Sequence, residues 1–147
     1  MSLSEFVRLE IEKAGAKNPF NPMQKAVNYH VYLTSERLVA IAYDQWEGNV
    51  KAFEGGKFLW DHTKGKNTKD LTLDEKLPLN EKNFAIQNCN ILKVTHKKKG
   101  WLIGFGQLIV EEEGGRKTQF ALDVVREHEQ RINNAFKEIY GEKFVSI

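Results

Sequence analysis

At 147 residues the chain has room for one domain that buries roughly 70% of its unfolded surface. With 41% hydrophobic and 29% charged residues it is neither a disordered nor a membrane-embedded chain, and a net charge of +2, from 22 basic and 20 acidic residues, excludes the basic excess of a dedicated nucleic-acid binder. Cys89 is the single cysteine, which excludes an intramolecular disulfide and a Cys-rich zinc site.

No apolar run reaches the length of a membrane span. The opening Met1-Ser2-Leu3-Ser4-Glu5 lacks the basic start and apolar core of a secretory signal, so the expected location is the cytoplasm. Leu3, Phe6, Val7, Ile11 and Ala14 fall at helical spacing, Ser2 and Glu5 have the spacing of a capping box, and Gly15 suits a stop, which predicts an amphipathic N-terminal helix over 1–15. Pro19 and Pro22 then mark an extended connection.

From Ala26 the period becomes two. Val27, Tyr29, Val31 and Leu33 share one face of a strand, and Asn28, His30 and Tyr32 the other. Thr34-Ser35-Glu36 interrupts this with hydroxyls suited to closing a turn. Leu38 to Tyr43 is apolar on both faces, as in an interior strand or one whose outer face a helix covers. Glu54-Gly55-Gly56 signals a hairpin between Val50–Phe53 and Lys57–Trp60. The polar, Lys-rich stretch Asp61 to Asp70 reads as a mobile loop, Pro78 argues against a central strand nearby, and Phe84-Ala85-Ile86 suits a short strand or helical turn.

The last third is the most regular. Strands are predicted over Ile91–His96, Trp101–Glu111 and Lys117–Leu122, with a turn at Gly114-Gly115. Gly104 and Gly106 on one strand face mark a bend of the kind a small barrel or orthogonal sandwich needs. Val125, Ile132, Ala135, Phe136 and Ile139 form the apolar stripe of a helix over 124–140, started by Asp123 and ended by Gly141. The expectation is one α+β, mainly β domain over 1–147, with strands spanning 26–122.

About seven strands followed by one helix resembles the pleckstrin-homology superfold in its bacterial PH-like and GRAM-like branches. Tyr32-Leu33-Thr34-Ser35-Glu36-Arg37-Leu38-Val39 is similar to the hairpin of those families, and Ile91-Leu92-Lys93-Val94, Trp101-Leu102-Ile103 and Thr118-Gln119-Phe120-Ala121-Leu122 follow their strand order. The resemblance implies about seven antiparallel strands in a small barrel or orthogonal sandwich capped by the C-terminal helix. It also implies a non-enzymatic binding module for protein–protein interaction or scaffolding, self-association included. Its phosphoinositide-binding members carry several basic residues in the first hairpin, where this chain offers only Arg37 beside Glu36.

Two other functions compete. His96-Lys97-Lys98-Lys99-Gly100 reads as a basic hairpin tip, and with Lys64, Lys66, Lys69 and Arg37 it supplies the candidate contacts for an anion or an anionic membrane. The same lysines also suit a solvated turn that keeps a sheet edge from pairing. A small ligand-binding barrel or hydrolase would use a cavity lined by Trp46, Trp60, Trp101, Tyr29, Tyr32 and Tyr43, side chains that core packing explains equally well. No catalytic residue, cofactor site or metal site is expected: His30, His62, His96 and His128 lack ligand spacing, Gly104-Phe105-Gly106 is followed by no helix start, and Cys89 has no evident base.

Overall fold

The computed structural model describes residues 5–16, 27–42, 59–98, 106–122 and 126–147. Its elements are strands β1 (Phe6–Ala16), β2 (Val27–Thr34), β3 (Arg37–Ala42) and β4 (Leu59–Asn67), short helices α1 (Thr68–Leu71) and α2 (Leu73–Lys76), strands β5 (Phe84–Gln87), β6 (Ile91–Lys97), β7 (Gly106–Glu112) and β8 (Lys117–Leu122), helix α3 (Arg126–Tyr140) and strand β9 (Phe144–Ser146). The fold is mainly β, with a large mixed sheet and a C-terminal helix.

The segment expected as an N-terminal helix is a strand. Val7-Arg8-Leu9-Glu10-Ile11-Glu12 alternates apolar and polar residues, and this period of two outweighs the sparser helical spacing. β1 pairs with β2 along one edge, and along the other with β4 from Phe6 to Ile11, then with β8 at Ala14 and Gly15. Gly15, expected to stop a helix, sits inside the strand opposite Asn28.

Two bulges steer β1. An extra residue between Val7 and Leu9, and another between Ile11 and Ala14, each reverse the alternation of faces. Leu9, Ile11, Ala14 and Ala16 therefore all enter the main core, while Val7 turns to the other face and joins Tyr32, Val39 and Leu73. That second cluster is closed by Leu71 and Leu77, so the segment from α1 onward covers the outer face of β3, as its two-sided apolar pattern predicts.

The sheet order is β5-β3-β2-β1-β8-β7-β6-β9, with β4 beside β1. The described residues form nine strands where about seven were expected, and β9 pairs with β6 in parallel. The sheet is open among the described residues rather than a closed barrel, because β9 takes the edge of β6 that closure would use. The stretch expected as a mobile loop, 61–70, is most of β4 and the start of α1. The Glu54-Gly55-Gly56 hairpin, Pro19, Pro22, residues 101–105 and the helix start at 123–125 lie outside the described residues.

The β2–β3 turn forms as its hydroxyls predict: Thr34 Oγ1 accepts from the backbone N–H of Glu36 at 3.1 Å and of Arg37 at 2.8 Å. Gly114 and Gly115 supply the positive φ of the β7–β8 turn, at 90° and 87°. Inside the core, Tyr29, Phe84 and Phe120 pack ring on ring, with centroids 5.3 to 6.5 Å apart. Ile132, Ala135 and Phe136 bring α3 down onto this core with no exposure.

Two substitutions test this packing. Phe136→Asp places a charge where no water reaches and should unfold or aggregate the chain, as read by gel filtration and thermal melting. Gly65 has φ 78°, and a Cβ there would stand 2.7 Å from the Phe6 ring. Gly65→Ala should cost about 1–2 kcal/mol in urea denaturation from the left-handed backbone alone, with a further cost from moving Phe6.

Candidate functional site

The densest polar cluster lies where β1, β2, β4 and α3 meet. Its centre is Glu10, which is 6% exposed and holds both carboxylate oxygens against imidazoles. His30 Nε2 lies 3.0 Å from Oε1, and His62 Nε2 lies 2.5 Å from Oε2. An ionised carboxylate only accepts, so each Nε2 carries the hydrogen and donates it. Burial pushes the Glu10 carboxyl up, but the hydrogen bonds and charge of His30 and His62 outweigh it and hold the group below the usual carboxylate range. The His30 ring stacks on Tyr32 at 4.3 Å, and the Lys76 ammonium stands over the same tyrosine at 5.8 Å. Burial, then Glu10 and Glu12, push the Tyr32 hydroxyl up.

Arg8, buried beside this cluster, pairs with Asp61 of β4 and, through Nε at 2.9 Å, with Glu138 of α3. Arg131 of α3 approaches the other Asp61 oxygen at 3.8 Å. The network thus joins three strands and the long helix. Chemically, the cluster is a carboxylate whose two oxygens are already engaged, with two partly exposed imidazoles oriented by it. Among the described residues no group of three or more His, Cys, Asp or Glu is arranged to hold a metal ion.

The residues expected to contact anions divide sharply. Arg37 is committed elsewhere: its Nε and Nη2 grip the two Glu5 oxygens at 2.8 and 3.1 Å, and Nη2 also reaches Asp74 at 2.7 Å. Burial would lower its pKa, and the two carboxylates reverse this and raise it, so the guanidinium stays charged and its charge is balanced in place. Lys64 and Lys66 on β4 and Lys69 on α1 are exposed, as are Lys97 and Lys98 at the end of β6. β6 and β4 are separated in the sheet by β1, β8 and β7, and no strand pairing joins the two lysine groups. Lys99 lies outside the described residues. His96 does not belong to the exposed tip at all: its side chain is fully buried, with Nδ1 2.6 Å from Asn133 Oδ1. Of the aromatic residues proposed to line a cavity, Tyr29 is core, Tyr32 belongs to the outer cluster and Trp60 is 41% exposed; Tyr43, Trp46 and Trp101 lie outside the described residues. Cys89 is exposed, its sulfur 3.7 Å from Asn90 Oδ1.

Sequence reasoning missed Arg8, Glu10 and Asp61. The alternation of Arg8, Glu10 and Glu12 with Val7, Leu9 and Ile11 was the available signal. No protein-family model matches the chain, and no curated protein matches it in sequence.

Glu10→Gln leaves one acceptor oxygen for two imidazole donors and should destabilise the fold by about 1–3 kcal/mol at pH 7. The folded Glu10 pKa lies below its ordinary 4.5, so this contribution is complete above that value and is lost as pH falls through the folded pKa. In urea denaturation from pH 7 to pH 3, the gap between wild type and Glu10→Gln should therefore close only on the acid side of 4.5.

Proposed function

We propose that the chain is a non-enzymatic binding module of PH-like fold that captures a protein partner by adding the partner's strand at the β5 edge. The fold reading is supported by the antiparallel order β5-β3-β2-β1-β8-β7-β6, two meanders joined through β1 with one C-terminal helix over their core.

The geometry of β5 carries the rest. Among the described residues β3 is its only strand neighbour, and the Asn88 N–H donates to the Glu36 carbonyl at 2.9 Å. That makes 36 and 88 a hydrogen-bonded pair, so by antiparallel alternation Arg37–Gln87 and Val39–Ala85 are non-bonded pairs. The backbone groups of Ala85 and Gln87 therefore point away from β3. Among the described residues they leave two donors and two acceptors for an incoming extended segment, the arrangement strand addition requires. The exposed lysines favour a second reading, contact with an anionic membrane through Lys64, Lys66 and Lys69 or through Lys97 and Lys98 with their sequence neighbour Lys99.

Gln87→Pro separates these readings. Gln87 has φ −67°, which proline adopts without strain, and the lost N–H is an outward one, so the melting temperature should hold. Proteins retained by the immobilised wild-type chain should bind the variant about tenfold more weakly. If the partner is a second copy, a concentration-dependent dimer in analytical ultracentrifugation disappears with the same change. Equal capture by both chains removes the β5 edge from the function. Salt-sensitive sedimentation with anionic vesicles, lost on changing Lys97, Lys98 and Lys99 to Glu, would move the function to the membrane.

A further inference from the structure

We propose that His96 is an acid-sensitive latch, and that adding a proton to its ring loosens helix α3 and strand β9 from the sheet. The residue sits in β6 with Leu108 of β7 opposite on one side and Ser146 of β9 on the other. Its side chain is fully buried. The side-chain oxygen of Asn133, Oδ1, accepts from Nδ1, which places the ring hydrogen there and leaves Nε2 a bare acceptor, and among the described residues Nε2 has no hydrogen-bond partner. A second proton would put an unmatched N–H and a positive charge into the same enclosed space.

The surroundings act on that charge in opposite directions. Burial is the largest influence and disfavours it; Asn133 and Glu129, one turn apart on α3, favour it; Lys98, on its own strand, opposes it. Leu108 and Ser146, facing it from β7 and β9, carry no charge. The balance keeps the ring neutral to lower pH than an ordinary histidine. Asn133 ties the ring to α3 through Nδ1, so separating the Glu129–Asn133 face of α3 from β6 is the opening that hydrates a protonated ring.

β9 is tied to the same point. The His96 carbonyl accepts from Ile147 N–H at 3.0 Å, and Lys98 N–H donates to the Ile147 carbonyl at 3.1 Å. Phe136 of α3 and Phe144 of β9 stack with centroids 6.0 Å apart, so helix and strand pack directly on each other.

Because the unfolded or opened chain takes up the proton before the closed one, closure is at full strength above the ordinary value of 6.5 and weakens as pH falls below it. The limit for one proton is about a tenfold loss in the closing equilibrium per pH unit. Glu112, whose carboxyl burial pushes up, works with the opposite sign and is stabilised by acid.

Hydrogen exchange of the whole chain at pH 7.5 and 5.5, corrected for intrinsic rates, tests the latch. Protection of α3 and of the Lys98 and Ile147 amides should fall severalfold at the lower pH while β2 and β3 keep theirs. His96→Gln, which cannot titrate, should show no such change, and this difference isolates His96 from His30, His62 and His128. Should that variant fail to fold, the wild-type His96 ring resonances still decide the matter. A titration midpoint below 6.5 supports the latch, whereas a midpoint at or above 6.5, or equal α3 protection at both pH values, overturns it.

Discussion

Strand β1 has two backbone edges and serves three neighbours: β2 along one edge, and β4 then β8 in succession along the other. A regular strand would keep its side chains in strict alternation along this whole length, with Val7 on the same face as Leu9 and Ile11. The two bulges re-aim the strand, so that four apolar residues reach the main core and Val7 reaches the outer cluster. A one-residue slip would exchange Leu9 and Ile11 for Arg8 and Glu10 in one direction or Glu10 and Glu12 in the other, so the register is fixed by the full difference between core and charge.

The buried charges reinforce that register. Arg8 holds Asp61 and Glu138, and Arg37 holds Glu5 and Asp74, so each guanidinium ties together three segments remote in sequence. Such pairs add little net stability over apolar packing, but removing one partner strands a charge in a closed space. Their contribution is specificity: only one arrangement of β1, β4 and α3 satisfies Arg8, and only one placement of α2 against the β2–β3 turn satisfies Arg37.

Elements with local signals were legible in the sequence. The alternation of Tyr29, Val31 and Leu33, the Thr34 turn, the Gly114-Gly115 turn and the stripe of Ile132, Ala135 and Phe136 each need only neighbouring residues to be read. β1 was misread because its bulges break the alternation at both ends and leave a pattern that also fits a helix. β4 was misread because its run from Thr63 to Asn67 has no apolar set; Lys66 and Asn67 pair with Val7 and Phe6, Asp61 pairs with Leu9, and residues 62–65 lie in the register shift between them. β9 is three residues long and owes its form to the edge of β6. The polar site was hidden for the same reason: the Arg8–Glu138 contact spans 130 positions and the Glu10–His62 contact 52, separations at which no spacing rule operates.

Arg8, Arg37 and Glu10 are consumed by internal partners, whereas Lys64, Lys66, Lys69, Lys97 and Lys98 are exposed. Lysine charges in water are screened over ~8 Å at physiological ionic strength and give little direction. In the strand addition proposed above, the N–H and C=O groups of Ala85 and Gln87 have fixed spacing and fixed polarity, which is what would select an extended segment. Asn88 connects that edge to the latch. Its N–H holds the Glu36 carbonyl, its side-chain amide donates to the Thr34 carbonyl, and its Oδ1 accepts from the hydroxyl of Tyr140 at the end of α3. A helix that lifts from His96 therefore draws on the residue next to Gln87, and the β5 edge and the acid-sensitive face of α3 share a single hydrogen-bonded joint.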